Sequence, residues 1–304
     1  MSDGPRGSSW GRPAPAPRTA DSTRGSRFRD LLHGRAFAYC VVLGAVATAV
    51  AGAAAHSLVL LAGGPVAVAA IALAVSFATA DRQAEVDFFA GYAASRGFDY
   101  VGDTSPMPLT PLLGAGDTRR CRQWMQGRLD ASLGCGLGHY TYETHDRDSQ
   151  GRRRVHQTRH FTLCVVDIEA HPKAHLKEGI SMFPGLFLCR RRGVFGGLDG
   201  QDWLSHRNRH KVELESATLC ERYDLWVDDG QDDLLLRELF VPSFEVLLAE
   251  HPLQACFEYR AGTLVVYLER LLDDEGHLDW MRELSAEIAA RFATEIEEAT
   301  RAVT

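Results

Sequence analysis

The feature that most constrains this chain is an apolar run from Ala36 to Ala80, which contains no Asp, Glu, Lys or Arg. A bilayer core about 30 Å thick needs about 20 helical residues for each crossing, so the run is long enough for two crossings and too long for one. We therefore predict a hairpin of two transmembrane helices, over about 36–56 and about 60–80, with a tight turn near His56 and the Gly63-Gly64-Pro65 breaker.

Small residues recur every four positions in both predicted helices. They are Gly44, Thr48 and Gly52 in the first helix and Ala70, Ala74 and Ala78 in the second. This spacing lets two helix backbones approach closely in lipid. The spacing is compatible with a dimerising or sensing interface. A contact that only closes the hairpin explains it with fewer assumptions.

Charges are distributed unevenly on the two sides of the apolar run. Residues 1–35 carry seven Arg against three Asp, whereas residues 81–304 carry 37 acidic and 26 basic residues. Basic residues beside a span favour the cytoplasmic side, so we expect both termini in the cytoplasm. A cleaved signal peptide is the alternative, but its basic region would be unusually long and a second apolar run follows directly.

Composition divides the chain into four predicted parts. They are a disordered Arg- and Pro-rich cytoplasmic tail over 1–35, the transmembrane hairpin over 36–80, a juxtamembrane helix and linker over 81–110, and a cytoplasmic α+β domain over 111–304. Only three of the 33 Lys and Arg residues are lysine, which points to GC-rich coding DNA and a bacterium. The expected location is therefore the bacterial plasma membrane, with the lipid bilayer as one partner.

Period-two patterns predict a mainly antiparallel sheet in the cytoplasmic domain. The predicted strands are 138–145, 155–168, 186–190, 211–215, 221–227, 255–259 and 263–269. Segment 98–111 contains three prolines and is expected to be irregular.

Helical patterns predict three further elements of this domain. Thr110-Pro111 is expected to start a short helix that reaches about Met125. Apolar spacing predicts a helix over 231–250, kinked or broken at Pro242. The chain is expected to end in a long amphipathic helix over about 278–299 that covers the sheet.

Several chemistries have no signature in the sequence. The seven cysteines form no CxxC pair, so neither a disulfide framework nor a zinc knuckle is indicated. The acidic domain argues against nucleic-acid binding. Common phosphate-binding, dinucleotide-binding, serine-hydrolase and zinc-protease motifs are absent, so we predict no cofactor and identify no small-molecule substrate. Cys135, which lies among glycines, is a conceivable nucleophile, although an inert thiol explains it as well.

Two arginine runs are candidates for contacts with anions. Arg152–Arg154 lies in a predicted hairpin turn, where a solvated turn is the plainer explanation, and Arg190–Arg192 follows a predicted strand. Either run has the residue type that grips phosphates or lipid headgroups.

A histidine-rich hairpin is the one candidate metal site. With a turn near 149–150, His139 would lie opposite His160 and Glu143 opposite His156, all on one pleated face. Imidazoles and a carboxylate in such a cluster bind zinc, or titrate together near pH 6.5. A solvent-exposed face that happens to be rich in His is the alternative.

Residues 211–268 resemble a known family. The resemblance is carried by Val212-Glu213-Leu214-Glu215-Ser216, by Glu221–Val227, and by the helical stretch Leu236–Leu248 with Phe240, Pro242 and Phe244. These segments are similar to bacterial membrane proteins of unknown function whose genes often lie beside those for LemA-type proteins. Where members often have Leu-Thr-Pro-x-Phe, this chain has Phe240-Val241-Pro242-Ser243-Phe244. The resemblance implies two transmembrane helices and one cytoplasmic α+β domain, and it implies no catalytic residues.

The leading functional hypothesis is a membrane-anchored cytoplasmic binding or scaffold domain in an envelope-associated complex. Under this hypothesis we expect the protein to bind a protein partner or to self-associate. We also expect its cytoplasmic domain to fold without the spans. The alternatives are a metal sensor or metal-dependent enzyme that uses the histidine face, and an accessory subunit of a transporter. The absence of catalytic motifs favours a protein that is not an enzyme.

Overall fold

The computed structural model describes residues 58–130, 133–148, 150–168, 185–191, 203–205, 207–231 and 233–303, with the helical positions 42, 44, 46–48 and 50. The predicted disordered tail over 1–35 lies outside the described residues. The chain divides into two compact units, residues 1–88 with 274–276, and residues 89–273 with 277–304. We call the second unit the sheet domain.

One long helix, α1, runs from Leu58 to Arg96. The predicted break at Gly63-Gly64-Pro65 is wrong, because the backbone stays helical through these residues. The juxtamembrane helix expected after residue 80 is helical up to Arg96, and it is the continuation of α1. Glycine and proline are tolerated inside an apolar helix when its surroundings satisfy the freed backbone groups, so their presence alone did not fix the turn.

Helix α1 is the one helix among the described residues that is long and apolar enough to cross a membrane, over Val66–Arg96. Its large apolar side chains near the start of this stretch are exposed, including Val66 and Ile71. The core helix of a soluble domain would instead bury such side chains. Exposed apolar side chains on a long helix are what a lipid-facing segment requires.

The two apolar segments come into contact at Gly44. A Cβ atom on Gly44 would lie 2.5 Å from Val68 Cγ1, which is too close for any side chain without movement. Gly44 is one of the small residues of the repeating pattern, so its role here is to let Val68 of α1 approach.

Nine strands of the described chain form one antiparallel sheet in the order β1-β2-β3-β4-β9-β8-β5-β7-β6. The strands are β1 (Asp99–Thr104), β2 (Thr118–Arg128), β3 (Gly134–Arg147), β4 (Arg153–Asp167), β5 (Leu186–Arg190), β6 (Arg209–Val212), β7 (Tyr223–Asp228), β8 (Cys256–Arg260) and β9 (Thr263–Leu268). The helices are α2 (Ala217–Arg222), α3 (Asp233–Leu239), α4 (Pro242–Glu250) and α5 (Glu275–Val303). The predicted α+β class with a mainly antiparallel sheet is confirmed.

Three local predictions are wrong in this part of the chain. The segment expected to be irregular contains β1, and the helix expected over 111–125 is a turn followed by β2. A bulge in β2 hid the strand pattern: Gln123 has φ 52° and the register shifts between Arg122 and Met125. The expected strand over 221–227 begins only at Tyr223, because the residues before it form the short helix α2. The Ser216 side chain caps the start of this helix.

Helix α5 covers one face of the sheet. Its predicted apolar stripe is buried, and consists of Leu278, Met281, Leu284, Ile288, Phe292 and Ile296. Phe292 stacks on Tyr259 at 4.7 Å between ring centroids and meets Phe257 edge-on at 5.7 Å. Covering an apolar sheet face with an amphipathic helix removes both apolar surfaces from water.

The opposite face carries an aromatic cluster, formed by Tyr140, Tyr142, Phe161, Trp203 and Tyr267. The carboxylate of Glu258 is fully buried beside it. Its Oε1 accepts a hydrogen bond from Trp203 Nε1 at 2.9 Å, and its Oε2 accepts one from the Leu112 N–H at 2.9 Å. Glu258 therefore holds Trp203 and the loop around Leu112 against this face.

The end of α1 is tied to the start of α5. The Arg96 guanidinium donates to both oxygens of Asp279, at 2.9 and 2.6 Å, and the Tyr92 hydroxyl donates to the same carboxylate at 3.1 Å. Burial acts to raise the pKa of Asp279, but these hydrogen bonds outweigh it and hold the pKa below its usual range.

Candidate binding site at the edge of the sheet

A cavity of about 400 Å³ lies between β6 and the helices α3 and α4. One wall is formed by residues 210–215, that is, β6 and the extended segment that follows it. The facing wall is apolar and comes from the junction of the helices, with Leu236, Phe240, Val241 and Pro242. We call this space the edge cavity.

The junction of α3 and α4 follows from the sequence. Pro242 has no N–H and cannot continue a helix, but it is well suited to the first position of a new one. The structure places Pro242 at the start of α4 with the extended residue Val241 before it, which confirms the predicted break. This break turns Phe240 towards Phe244, at 5.6 Å between ring centroids, and brings Glu245 to the wall of the edge cavity.

Glu245 is the most unusual group of the edge cavity. Only 3% of its surface is exposed, and its Oε1 atom is buried without a hydrogen-bond partner. Burial raises the pKa of Glu245, although the backbone N–H groups of Glu215 and Ser216 donate to the carboxylate and oppose the shift. A buried acceptor without a partner costs free energy, so Glu245 is the carboxylate of the edge cavity whose hydrogen bonding is incomplete.

The charges around the edge cavity leave it acidic. Of its two cationic side chains, Lys211 lies 2.6 Å from Asp224 on β7. The His210 imidazole lies 3.3 Å from Asp229, just after β7. The carboxylates of Glu213, Glu215 and Glu245 share the lining with the remaining cation, Arg237. The edge cavity therefore favours a cationic hydrogen-bond donor over an anion.

Sequence reasoning did not single out Glu245. The one local signal was a carboxylate in the first turn after Pro242, where a helix N-terminus stabilises negative charge.

The predicted metal candidates are not brought together. His139 faces Thr162 rather than His160, His160 faces Thr141, and Glu143 faces Thr158. The predicted pairing is therefore wrong by two residues. Asp148 accepts from the N–H groups of Gln150 and Arg152 and Gly151 takes a positive φ, so the turn lies later than expected.

A bulge between Thr144 and His145 also separates His156 from the other candidates. Its Nδ1 lies 3.2 Å from Asp146 Oδ2 on the surface. Among the described residues, no three His, Cys, Asp or Glu side chains lie close enough together to hold a metal ion. The zinc site remains a sequence hypothesis that this geometry does not support.

His139 instead has a structural environment. It is buried, and its Nε2 donates to the Leu272 carbonyl at 2.8 Å, with the ring edge-on to Phe89 at 4.9 Å. Beside it, Thr162 Oγ1 donates to the Arg270 carbonyl and accepts from the Leu272 N–H, both at 2.9 Å. His139 and Thr162 together hold the connection from β9 to α5.

We expect the contribution of His139 to the stability of the sheet domain to fall as the pH drops below about 6.5, the ordinary His pKa. Burial lowers the pKa of His139, although the hydrogen bond to the Leu272 carbonyl and the negative charge of Asp273 act to raise it. The unfolded chain therefore takes up a proton at a pH where the folded chain does not. Stability is then complete above that pH and is lost as the pH falls towards the folded-state pKa. Urea unfolding between about pH 5 and pH 7.5 measures this slope.

His139→Gln is the matched variant, because glutamine keeps an N–H donor and does not titrate. The slope should become shallower but not vanish, since burial also lowers the pKa of His251. An unchanged slope in His139→Gln would show that His139 is not the titrating group.

Cys135 is poorly suited to act as a nucleophile. Its hydrogen bond with Cys164, together with burial, raises the pKa of its thiol far above the ordinary value. The reactive form of cysteine is the thiolate, which this environment suppresses.

Comparison with protein-family models gives no match for this chain. Comparison with curated proteins also gives no match. Among solved structures, the chain is similar to the crystal structure of the mycobacterial trehalose monomycolate transport factor A, TtfA. The TM-score is 0.43 at 8% identity, over 70% of this chain and 94% of that chain. A similarity at this level carries no inference about function, so we derive the function from the residues of this chain.

Proposed function

We propose that this protein is a membrane-anchored binding domain that captures a basic segment of a partner protein in the edge cavity. The observation that carries the proposal is Glu245, a buried carboxylate with an oxygen that lacks a partner, at the wall of an acidic cavity. A Lys or Arg side chain of the partner would donate to Glu245, and its aliphatic stem would pack on the apolar wall beside Phe240. The partner is expected in an envelope-associated complex.

The proposed anchor is the predicted two-helix hairpin. The apolar and exposed stretch of α1 supports a span, and the close approach of Gly44 to Val68 supports a second apolar segment packed against it. Two crossings would put both termini in the cytoplasm of the bacterium, as the basic flank before Ala36 indicates. The family resemblance implies the same arrangement.

Reporter fusions test this topology. A reporter placed after Arg35 and one placed after Thr304 should both give a cytoplasmic signal, because the two crossings return the chain to the side on which it started. One cytoplasmic and one external signal would instead establish a single crossing.

Site-specific crosslinking tests the proposed partner site. We would replace Arg237, an exposed residue at the rim of the edge cavity, with a photoreactive phenylalanine in the full-length protein in its native membrane. Irradiation should give a discrete protein adduct. Its yield should fall at least about tenfold in Glu245→Gln, since a charge-assisted hydrogen bond contributes about 1.5–3 kcal/mol.

The same photoreactive residue at Val155, which is exposed on β4, is the control and should not give this adduct. Glutamine at position 245 keeps an acceptor for the Glu215 and Ser216 N–H groups, so the site stays folded. An adduct from position 237 that is insensitive to Glu245→Gln would contradict the proposal.

A further inference from the structure

A second cavity, of about 670 Å³, opens at one end of the sheet and is rich in arginine. Arg190 at the end of β5 and Arg191 after it line one side, and Arg270, just after β9, lines another. Strand β8 lies between β5 and β9 in the sheet, so these residues converge on a single sheet end. We call this space the arginine cavity.

The backbones that carry these arginines are held by the fold. Arg190 pairs with Tyr223 in the β5–β7 ladder, and the Arg191 N–H donates to the Arg222 carbonyl at 2.6 Å. The Arg270 carbonyl accepts from Thr162 Oγ1 at 2.9 Å. The fixed backbones remove the backbone part of the ordering cost of binding, so the cost that remains is that of the arginine side chains.

The charge balance of the arginine cavity is positive. Its lining contains three arginines and one carboxylate, Glu269, which also lies 3.8 Å from Arg159 outside the lining. Leu253, Leu268 and Pro252 add an apolar part to the wall. Planar guanidinium groups bind phosphate oxygens in a bidentate manner, and the remaining volume admits an organic group attached to the phosphate.

The other arginine run of the sequence has a different environment. Arg153 lies 3.5 Å from Asp117 and Arg154 lies 3.1 Å from Asp148, at the exposed start of β4. These acidic partners balance the positive charge of the two arginines. The two runs look alike in sequence, but Arg190 and Arg191 line a cavity in which basic residues outnumber acidic ones.

From these observations we propose that the arginine cavity binds a phosphate monoester, either a lipid headgroup or a soluble phosphorylated molecule. The proposal is independent of the partner site in the edge cavity. Arg190 and Arg270 hold the phosphate from two sides, and Arg191 adds charge while its Nη1 donates to the Cys220 carbonyl at 3.1 Å.

The test uses the full-length protein in neutral detergent and inorganic phosphate as the probe. At constant ionic strength, exchange of chloride for phosphate should raise the thermal unfolding midpoint, because a ligand that binds the folded state stabilises it. Arg190→Gln with Arg270→Gln should weaken phosphate binding at least about tenfold and remove the shift. Arg153→Gln with Arg154→Gln removes the same charge from the exposed start of β4 and should keep the shift.

A second arm separates the two sources of phosphate. Nanodiscs of phosphatidylcholine with phosphatidic acid should raise the midpoint relative to phosphatidylcholine alone if the ligand is a headgroup. If only inorganic phosphate raises it, the ligand is soluble. If neither does, or if both double variants lose the shift equally, the proposal is wrong. Should the first double variant not fold, Arg270→Gln alone, checked by circular dichroism, gives the same comparison.

Discussion

A fragment of residues 98–304 should be much less stable than one of residues 81–304. Phe89, Tyr92 and Ala93 of α1 belong to the sheet domain and have no exposed surface, so the shorter fragment loses part of its core. Removal of one large buried aromatic side chain costs about 3–5 kcal/mol, and the whole domain is expected to have only about 5–15 kcal/mol. Urea unfolding should show a cooperative transition for 81–304 and a largely unfolded 98–304.

Point variants of the longer fragment locate the effect. Phe89→Ala should destabilise by about 3–5 kcal/mol, whereas Gln83→Ala, at an exposed position of the same helix, should change stability by less than about 0.5 kcal/mol. Equal midpoints for the two fragments would show that the sheet and α5 are sufficient without α1. A clear difference between the two fragments would show that the domain folds without the apolar part of α1 only if it includes residues 81–97.

Glu258→Ala should be among the most damaging single substitutions in the sheet domain. It leaves the buried Leu112 N–H and the Trp203 indole N–H without an acceptor and opens a cavity beside the aromatic cluster. Each orphaned buried donor costs about 1–3 kcal/mol, so we expect a loss of about 3–6 kcal/mol with the cavity included. Urea denaturation measures the loss, and the fluorescence of Trp203 should report its release.

Glu258→Gln should fall between the wild type and Glu258→Ala. The amide keeps one acceptor oxygen, but its NH2 group faces the second donor. Glu283→Ala, at an exposed position of α5, is the matched control and should be close to neutral. If Glu258→Ala were as stable as Glu283→Ala, the network around Leu112 and Trp203 would contribute nothing to folding.

Some elements were predicted well because a single face was buried. The stripe of α5 from Leu278 to Ile296 follows the helical period, and all of its predicted positions are buried. The β8–β9 hairpin and the break at Pro242 were also predictable, since both depend on short-range turn and proline chemistry.

The misses at β2 and at the histidine hairpin have a common physical cause in bulges and turns that shift the register. A single extra residue in β2, at Gln123, hid an 11-residue strand behind an apparent helix. The bulge at Thr144 and the later turn displaced the histidines from one another. Register depends on which pairs of residues meet, and no local period reports that.

The burial of two acidic side chains, Glu258 and Glu245, could not be recognised from the sequence. Glu258 stands between Phe257 and Tyr259, and alternation would place it in solvent. It is buried because this sheet is covered on both faces, which a strand pattern alone does not reveal. Glu245 likewise becomes informative only once the approach of residues 213–215 to α4 is known.

Helix α1 has a consequence for the processing of this protein. The sequence suggested a linker up to residue 110, but only Gly97 and Phe98 separate the end of α1 from the first residue of β1. Proteases cleave exposed loops and locally unfolded segments, and a continuous helix or a paired strand offers none without local unfolding. We therefore expect cleavage between the apolar part of α1 and β1 to be slow while the sheet domain stays folded, so that the two remain one molecule.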